Sequence, residues 1–421
     1  MWTWETAMAY WERAKNNGIR PGLDRMERVM ALLGDPHRRL RVVHVAGTNG
    51  KGSTARMIQS VLTAAGYPTG LYTSPTVTVL TDTVTIDGKP IPRETFAALA
   101  EELAALEPRM GEDGAMTEFE LTTALALLYF SRQRVSVAVL ECGMGGAEDA
   151  TNVCPPPLAA VLMPVALEHT RWLGNTIAEI AAVKSGICKP PCTIVTSPAQ
   201  HEDALAVLFE RAARQGLTVR QPNAAAATLV RAAWGETTFL YGGETYTVPL
   251  GGAFQVDNAL TALETVSVLA EKGYDLPPEA RQAGLRAATL PCRQEVVSRD
   301  PLIVLDGAHN PHAIAALASS IRAQSGSLTL LIGMLADKDT AACASLLSPL
   351  VTRVVCCTPP SPRALSADKL AAQFAGHPDV TAVDDVADAL CAARAQAGAL
   401  LIAGSFTTAG AARALLCSDD K

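Results

Sequence analysis

The sequence predicts an α/β protein with mainly parallel sheets, divided into two unequal domains. Three observations predict it. Short β-branched runs alternate with helical periodicity along nearly the whole chain. One such run enters a glycine-rich loop and then a helix, the first half of a βαβ unit. The alternation restarts past Pro291-Cys292-Arg293 and supplies five further candidate strands.

Taken in order, Trp4, Ala7, Met8 and Trp11 have i, i+3, i+4, i+7 spacing and form one apolar helical face. Arg20-Pro21-Gly22-Leu23-Asp24 breaks the chain, and Asp24 is a candidate N-cap for a helix through Leu33. Residues 41–45 read as a buried strand, 46–54 as the loop, and the following residues to Ala65 as a helix. Strands are expected at 69–73, 135–141, 158–163 and 193–197, with helices at 118–130, 177–187 and 202–214. Asp87-Gly88 and Gly242-Gly243 mark hairpins, and 256–269 is helical. The second unit has strands at 302–305, 328–332, 353–357, 380–383 and 400–403. The domain boundary is placed at 292/293, giving domains 1–292 and 293–421.

Composition removes several function classes. At 421 residues, about two to three domains are expected, each able to bury a core without disulfides or metals. The formal charge of −7 argues against broad affinity for nucleic acid or an anionic membrane. No apolar run reaches the roughly 18–20 residues that span a bilayer. The chain opens Met-Trp-Thr-Trp-Glu, without a basic n-region and apolar h-region, so a cytoplasmic location is expected. The ten cysteines lack zinc-finger spacing and read as free thiols. No feature calls for an obligate partner, so a monomer is expected.

The strongest motif is Gly47-Thr48-Asn49-Gly50-Lys51-Gly52-Ser53. Glycines let backbone N–H groups converge on phosphate oxygens, and the next helix adds its positive dipole end. Lys51 would reach the β- and γ-phosphates. The loop is not a strict Walker A: Val45 stands at the first glycine position, and Gly52 separates Lys51 from Ser53. A tight turn with a solvated lysine is the structural alternative.

Ala46 to Ser53 resembles the phosphate loop of the folylpolyglutamate synthase and dihydrofolate synthase family, a branch of the Mur ligase superfamily. The resemblance runs, in order, to Gly404-Ser405-Phe406. It implies a P-loop-type central domain with a mainly parallel sheet, and a smaller Rossmann-like C-terminal domain. ATP would be held by Thr48, Asn49, Gly50, Lys51, Gly52, Ser53, Asn258, Arg293 and Asp306. Arg293 would sit near the γ-phosphate. Two Mg²⁺ ions are implied, with Ser74, Glu141, His169 and a carbamylated Lys184 as ligands. Gly22, Leu23, Asp24, Phe119, Asp149, Thr151 and Asn152 would contact the pteroate or folate. His309 and Ser405 would face L-glutamate. Lys51, Lys184, Arg293 and His309 would carry the catalysis.

The implied reaction is ATP-dependent addition of L-glutamate to dihydropteroate, to a reduced folate, or to both, through an acyl phosphate. The sequence departs from the family pattern at several points. Thr76 replaces a histidine, Thr81-Asp82-Thr83 sits where many members carry Glu-Arg, Ala147-Glu148 replaces an Arg-Leu pair, Glu168 an aspartate, Phe254 a histidine and Cys292 a glycine. Those near the substrate leave a second reading open, a Mur-type ligase acting on a non-folate carboxylate.

Overall fold

The computed structural model describes residues 1–111, 114–324, 326–395 and 398–417. The chain separates into two compact units, 1–224 with 257–285, and 225–256 with 286–421.

The first unit is built on an eight-stranded sheet. Its strands are β1 Val42–Ala46, β2 Thr69–Tyr72, β3 Val84–Ile86, β4 Lys89–Pro90, β5 Val137–Glu141, β6 Ala159–Leu162, β7 Thr193–Thr196 and β8 Thr218–Arg220. The order is β4-β3-β2-β5-β1-β6-β7-β8. The five pairings from β2 to β8 are parallel; β3 and β4 add an antiparallel edge. β1 is central and buried at all five positions, as expected for a parallel strand covered on both faces.

Helices cover this sheet by burying apolar stripes. Trp11, Met26, Met30, Phe96, Leu125 and Phe130 share one core. The Trp11 indole N–H donates to Thr122 Oγ1 at 2.9 Å, so its one polar group is satisfied inside. Thr117 and Glu120 form a capping box that starts the helix Glu118–Arg132.

Asp24 is not the cap expected of it. Leu23 occupies the N-cap with no side-chain hydrogen bond, and Asp24 is the first helical residue of Asp24–Leu32. Gly22, at φ 111°, makes the turn one residue earlier. Asp24 still places its charge at the positive end of the helix.

The second unit has two sheets. β9 Thr228–Ala233, β10 Glu236–Tyr241 and β11 Glu244–Val248 form an antiparallel meander. The sequence reading counted this meander within 1–292; by contacts it groups with the later unit. The larger sheet contains β12 Arg293–Arg299, β13 Leu302–Asp306, β14 Leu328–Ile332, β15 Arg353–Cys356, β16 Val380–Ala382 and β17 Ala399–Ala403. Its order is β12-β13-β17-β14-β15-β16, parallel except for β12. Among the described residues, no helix is long and apolar enough to cross a membrane.

Candidate functional site

The loop after β1 is shaped by close packing. Gly47 has φ 141°, and a Cβ there would lie 2.6 Å from Met163 Cβ and 2.8 Å from the Met163 carbonyl oxygen. Gly50, at φ 85°, caps the helix Lys51–Ala64. A Cβ at Gly50 would meet the Asn258 carboxamide oxygen at 2.4 Å. Asn258 therefore sits against the loop from the helix Gln255–Glu271. Thr48 pins the loop to the segment after β6: its N–H donates to the Pro164 carbonyl at 2.9 Å, and its hydroxyl accepts from Ala166 N–H at 3.0 Å. Gly47→Ala is expected to cost at least about 2 kcal/mol of stability, since both neighbouring atoms belong to packed chain. A thermal melt measures the loss, and nucleotide affinity is expected to fall with it.

Two lysines converge on this loop. Lys51 Nζ donates to the Thr48 carbonyl at 3.2 Å. Lys184, only 3% exposed, ends the helix Ile177–Lys184 and donates to the Gly47 carbonyl at 2.7 Å. Burial pulls the Lys184 ammonium down to about 7, and the nearby Lys51 charge adds to the effect. The carboxylate of Glu168 acts in the opposite direction. Ser53, 3% exposed, lies in the first helical turn beyond the loop, with Gly52 and Asn49 beside it.

Glu141 closes β5 at 2% exposure, and its Oε2 accepts the Ser74 N–H at 3.2 Å. These two expected metal ligands are thus together. His169 is exposed, with φ 53°, at the start of the short helix Thr170–Leu173. Among the described residues, no three of His, Cys, Asp and Glu gather as a metal cluster. A carboxylate and a hydroxyl beside a phosphate loop still suit a hard cation that completes its shell with water and phosphate. The residues present fit Mg²⁺.

A second group lies around the turn that follows β5. Gly22 N–H donates to the Glu148 carbonyl at 3.4 Å, bringing Gly22, Leu23 and Asp24 beside the 143–149 turn. Phe119 packs on that turn, since a Cβ at Gly143 would meet its ring at 2.6 Å. Tyr72 backs Phe119, with ring centroids 5.8 Å apart. Asp149 turns inward: its oxygens accept from Met144 N–H at 2.9 Å and Thr151 N–H at 3.1 Å. Burial nevertheless pushes its carboxyl upward. The turn chemistry available to Asp149 and Thr151 is therefore present. Asn152 donates to the Ala147 carbonyl at 3.0 Å, while its buried Oδ1 has no hydrogen-bond partner.

The later unit gathers Arg293, Asp306, His309 and Ser405 at the carboxyl ends of β13 and β17 and the start of β12. Arg293 faces Asp306 across the β12–β13 pair, and the register shifts between Arg293 and Glu295. Cys292 and Gln294 flank Arg293 at φ 55° and 49°. Such a bulge re-aims a side chain, and the Arg293 guanidinium lies 4.4 Å from the Phe406 ring centroid. The Arg293 Nε is buried with no hydrogen-bond partner. Asp306, 6% exposed, accepts from Gln294 N–H at 3.0 Å and Ala308 N–H at 2.7 Å. Burial pushes its carboxyl up, and Arg293 opposes this. His309 holds Nδ1 2.8 Å from the Gly307 carbonyl and leans on Phe406 at 5.7 Å. Ser405 caps the helix Phe406–Leu416.

Sequence reasoning missed Phe406 and Tyr72 as site residues. Phe406 ends the Gly404-Ser405-Phe406 motif and carries no polar atom to mark it. Its role emerges from two side chains, Arg293 and His309, that reach it from another part of the chain.

A phosphate loop on a parallel sheet, followed by a second parallel α/β unit with its own polar cluster, defines a Mur ligase. Residues 45–266 match the Mur ligase middle domain, and 292–406 the Mur ligase glutamate ligase domain. The chain belongs to the folylpolyglutamate synthase/dihydrofolate synthase family. It is 34% identical to the dihydrofolate synthase/folylpolyglutamate synthase of Mycobacterium tuberculosis, over 97% of this chain and 92% of that one. It spans only 48% of a Haloferax volcanii relative, a probable bifunctional folylpolyglutamate synthase/dihydropteroate synthase, at 39% identity. The M. tuberculosis folylpolyglutamate synthase solved with ADP and AMPPCP superposes with a TM-score of 0.87 at 32% identity, covering 98% of this chain and 99% of that one. Escherichia coli FolC in complex with DHPP and ADP gives 0.86 at 30%, covering 100% and 99%.

Proposed function

We propose that this chain is an ATP-dependent ligase that joins L-glutamate to the carboxylate of dihydropteroate, of a tetrahydrofolate, or of both. The observation that carries the reading is the convergence of Lys51, Lys184 and Asn258 on the 47–53 loop. Relatives solved with ADP, AMPPCP and DHPP support the same substrates here. The functional division is placed at 292/293, with the glutamate site mainly in the later domain.

A carboxylate resists amine attack because its leaving group is oxide, so ATP must first convert it to an acyl phosphate. The loop N–H groups, Lys51 and Arg293 hold the γ-phosphoryl group and offset its charge during transfer. Asn258 and Asp306 orient the nucleotide. Gly22, Leu23, Asp24 and Phe119 hold the pteridine acid, with Asp149, Thr151 and Asn152 behind them. His309 and Ser405 place the glutamate amine for attack, which expels phosphate and leaves the amide.

Ser74, Glu141, His169 and Lys184 are the residues that would hold Mg²⁺, whose chemistry is to neutralise phosphate charge. With its ammonium pulled down to about 7, Lys184 is substantially neutral at cellular pH. A buried neutral amine can attack CO₂, forming an N–C bond and releasing one proton. The resulting carbamate would supply the oxygens. We place the chain in the cytoplasm as a monomer, without nucleic-acid or membrane partners.

A second reading is favoured by Ala147, Glu148, Thr76 and Glu168. All depart from the family pattern, and Glu148 stands where Gly22 docks. It is a Mur-type ligase for a different carboxylate. One assay separates the two. Protein, ATP, Mg²⁺ and L-glutamate are incubated with dihydropteroate or tetrahydrofolate, and products are weighed by mass spectrometry. A gain of one glutamyl unit is expected. Its absence with both acids, alongside phosphate release with another carboxylate, selects the second reading.

A further inference from the structure

We propose that His44 is a positioning residue for the pteridine-side pocket, acting through Thr151 and Asp149 on the 143–146 turn. This rests on the folate reading above. His44 lies in the middle of β1, between Leu140 of β5 and Ala160 of β6, and is 1% exposed. A polar ring at the centre of a buried parallel strand costs stability unless its ring nitrogens are matched. Nε2 stands 2.8 Å from Thr151 Oγ1 and 3.2 Å from Cys142 Sγ.

The direction of this chain of hydrogen bonds follows from counting protons. A threonine hydroxyl has one. Of the two acceptors within its reach, Cys142 Sγ at 3.6 Å and the nearer Asp149 Oδ1, Thr151 directs it to the carboxylate, which also accepts the Thr151 N–H. The same hydroxyl then has only lone pairs for His44, so Nε2 must carry the hydrogen. Burial pulls the His44 imidazolium down to about 3, with Lys189 adding to the effect, so the ring is neutral at working pH. His44 thus donates to Thr151, and Thr151 donates to Asp149.

The other Asp149 oxygen receives the Met144 N–H. Three linked bonds therefore tie the central strand to the turn that packs on Phe119. If the turn drifts, the Phe119 ring packed on it drifts too, and Phe119 is expected to contact the pteridine acid. None of these atoms is expected to touch a phosphate or the glutamate.

The test compares His44→Gln, His44→Asn and His44→Leu by steady-state kinetics with each substrate varied in turn. A glutamine amide N–H₂ reaches the place of Nε2; an asparagine one reaches only that of Nδ1. His44→Gln is expected to keep all three KM values near wild type. His44→Asn and His44→Leu are expected to raise KM for the pteridine acid about tenfold or more, the cost of a lost buried hydrogen bond. Their KM values for ATP and glutamate are expected to hold. Equal increases for ATP and pteridine acid would overturn the proposal, because His44 would then merely prop β1 and its loop. So would a glutamine variant as poor as the leucine one. Should the leucine variant not fold, the glutamine–asparagine comparison still decides.

Imidazole ¹⁵N shifts of the wild-type protein give a second readout. A hydrogen on Nε2 is expected, and one on Nδ1 alone reverses the chain and sinks the idea. Wild type that forms no glutamyl product with either acid would instead reject the folate reading, while the tautomer would still report on the hydrogen-bond direction.

Discussion

Replacing Lys51 by alanine is expected to lower ligation and ATP turnover together by on the order of a thousandfold. Removing one preorganised charge from a site of phosphoryl transfer has effects of about 3–4 kcal/mol. Lys51 has no structural duty to match. Its one described hydrogen bond is to Thr48, three residues away. A melting temperature close to wild type is therefore expected, and the loss is read as chemistry. The measurement pairs glutamyl product by mass with phosphate release. Unchanged ligation would remove Lys51 from the mechanism. Loss of ligation with phosphate release intact would move it from phosphoryl transfer to the later amide step.

The same variant is expected to reach Lys184. The Lys51 charge is the second cause, after burial, holding the Lys184 ammonium down. Without it, Lys184 titrates at a higher pH, and chemical modification of its neutral amine is expected to slow at pH 7. The two lysines are thus one electrostatic unit rather than two separate contacts.

Much of the first unit was legible in the sequence because its signals are local. A buried β-branched strand, a glycine-rich loop and a helix follow one another without a gap between residues 42 and 64. The loop lysine needs no partner from elsewhere to be recognised. The helix Gln255–Glu271 was legible for the same reason, but the placement of Asn258 against Gly50 was not. That contact joins residues about two hundred apart, and no periodicity encodes it.

The later unit shows the limit more plainly. Asp306 and His309 are expected at the site from the family resemblance, and the structure places Asp306 at the end of β13 with His309 three residues beyond it. β12 is not among the strands that the sequence predicts. Its sequence, Arg-Gln-Glu-Val-Val-Ser-Arg, lacks clean alternation because two bulges interrupt the pairing. A bulge shifts every later side chain to the opposite face, so a period-2 search fails where Arg293 is being aimed. The helix Arg93–Ala104 was also missed. It starts after Pro92 without a side-chain cap, so no polar start signal precedes it. Asp149 gives a different lesson. Its residue type suits a binding pocket, but its oxygens are taken by backbone N–H groups of its own turn.

Lys184→Met is expected to abolish ligation and yet stabilise the protein, most strongly at low pH. The sign follows from the folded-state ammonium being held at about 7, against about 10.5 in an unfolded chain. Below pH 7 the lysine is charged in both states, so folding bears the full cost of burying the ammonium. As pH rises from 7 towards 10.5 the folded amine is already neutral while the unfolded one still binds a proton. Wild-type stability therefore climbs with pH over that window. Methionine has a similar volume and carries no charge, so the cost is absent at every pH. Against this stands the lost hydrogen bond to the Gly47 carbonyl, about 1 kcal/mol. The net gain at pH 6 is expected to be roughly 2–4 kcal/mol, shrinking steadily towards pH 9. Urea titrations of both proteins at pH 6, 7.5 and 9 measure it. A constant difference across the three would mean that Lys184 titrates outside this range and is not the poised amine that carbamylation requires. A gain at low pH with ligation retained would separate the buried charge from the catalysis. A gain together with complete loss of ligation is the expected mark of a charged residue kept in the interior for its chemistry.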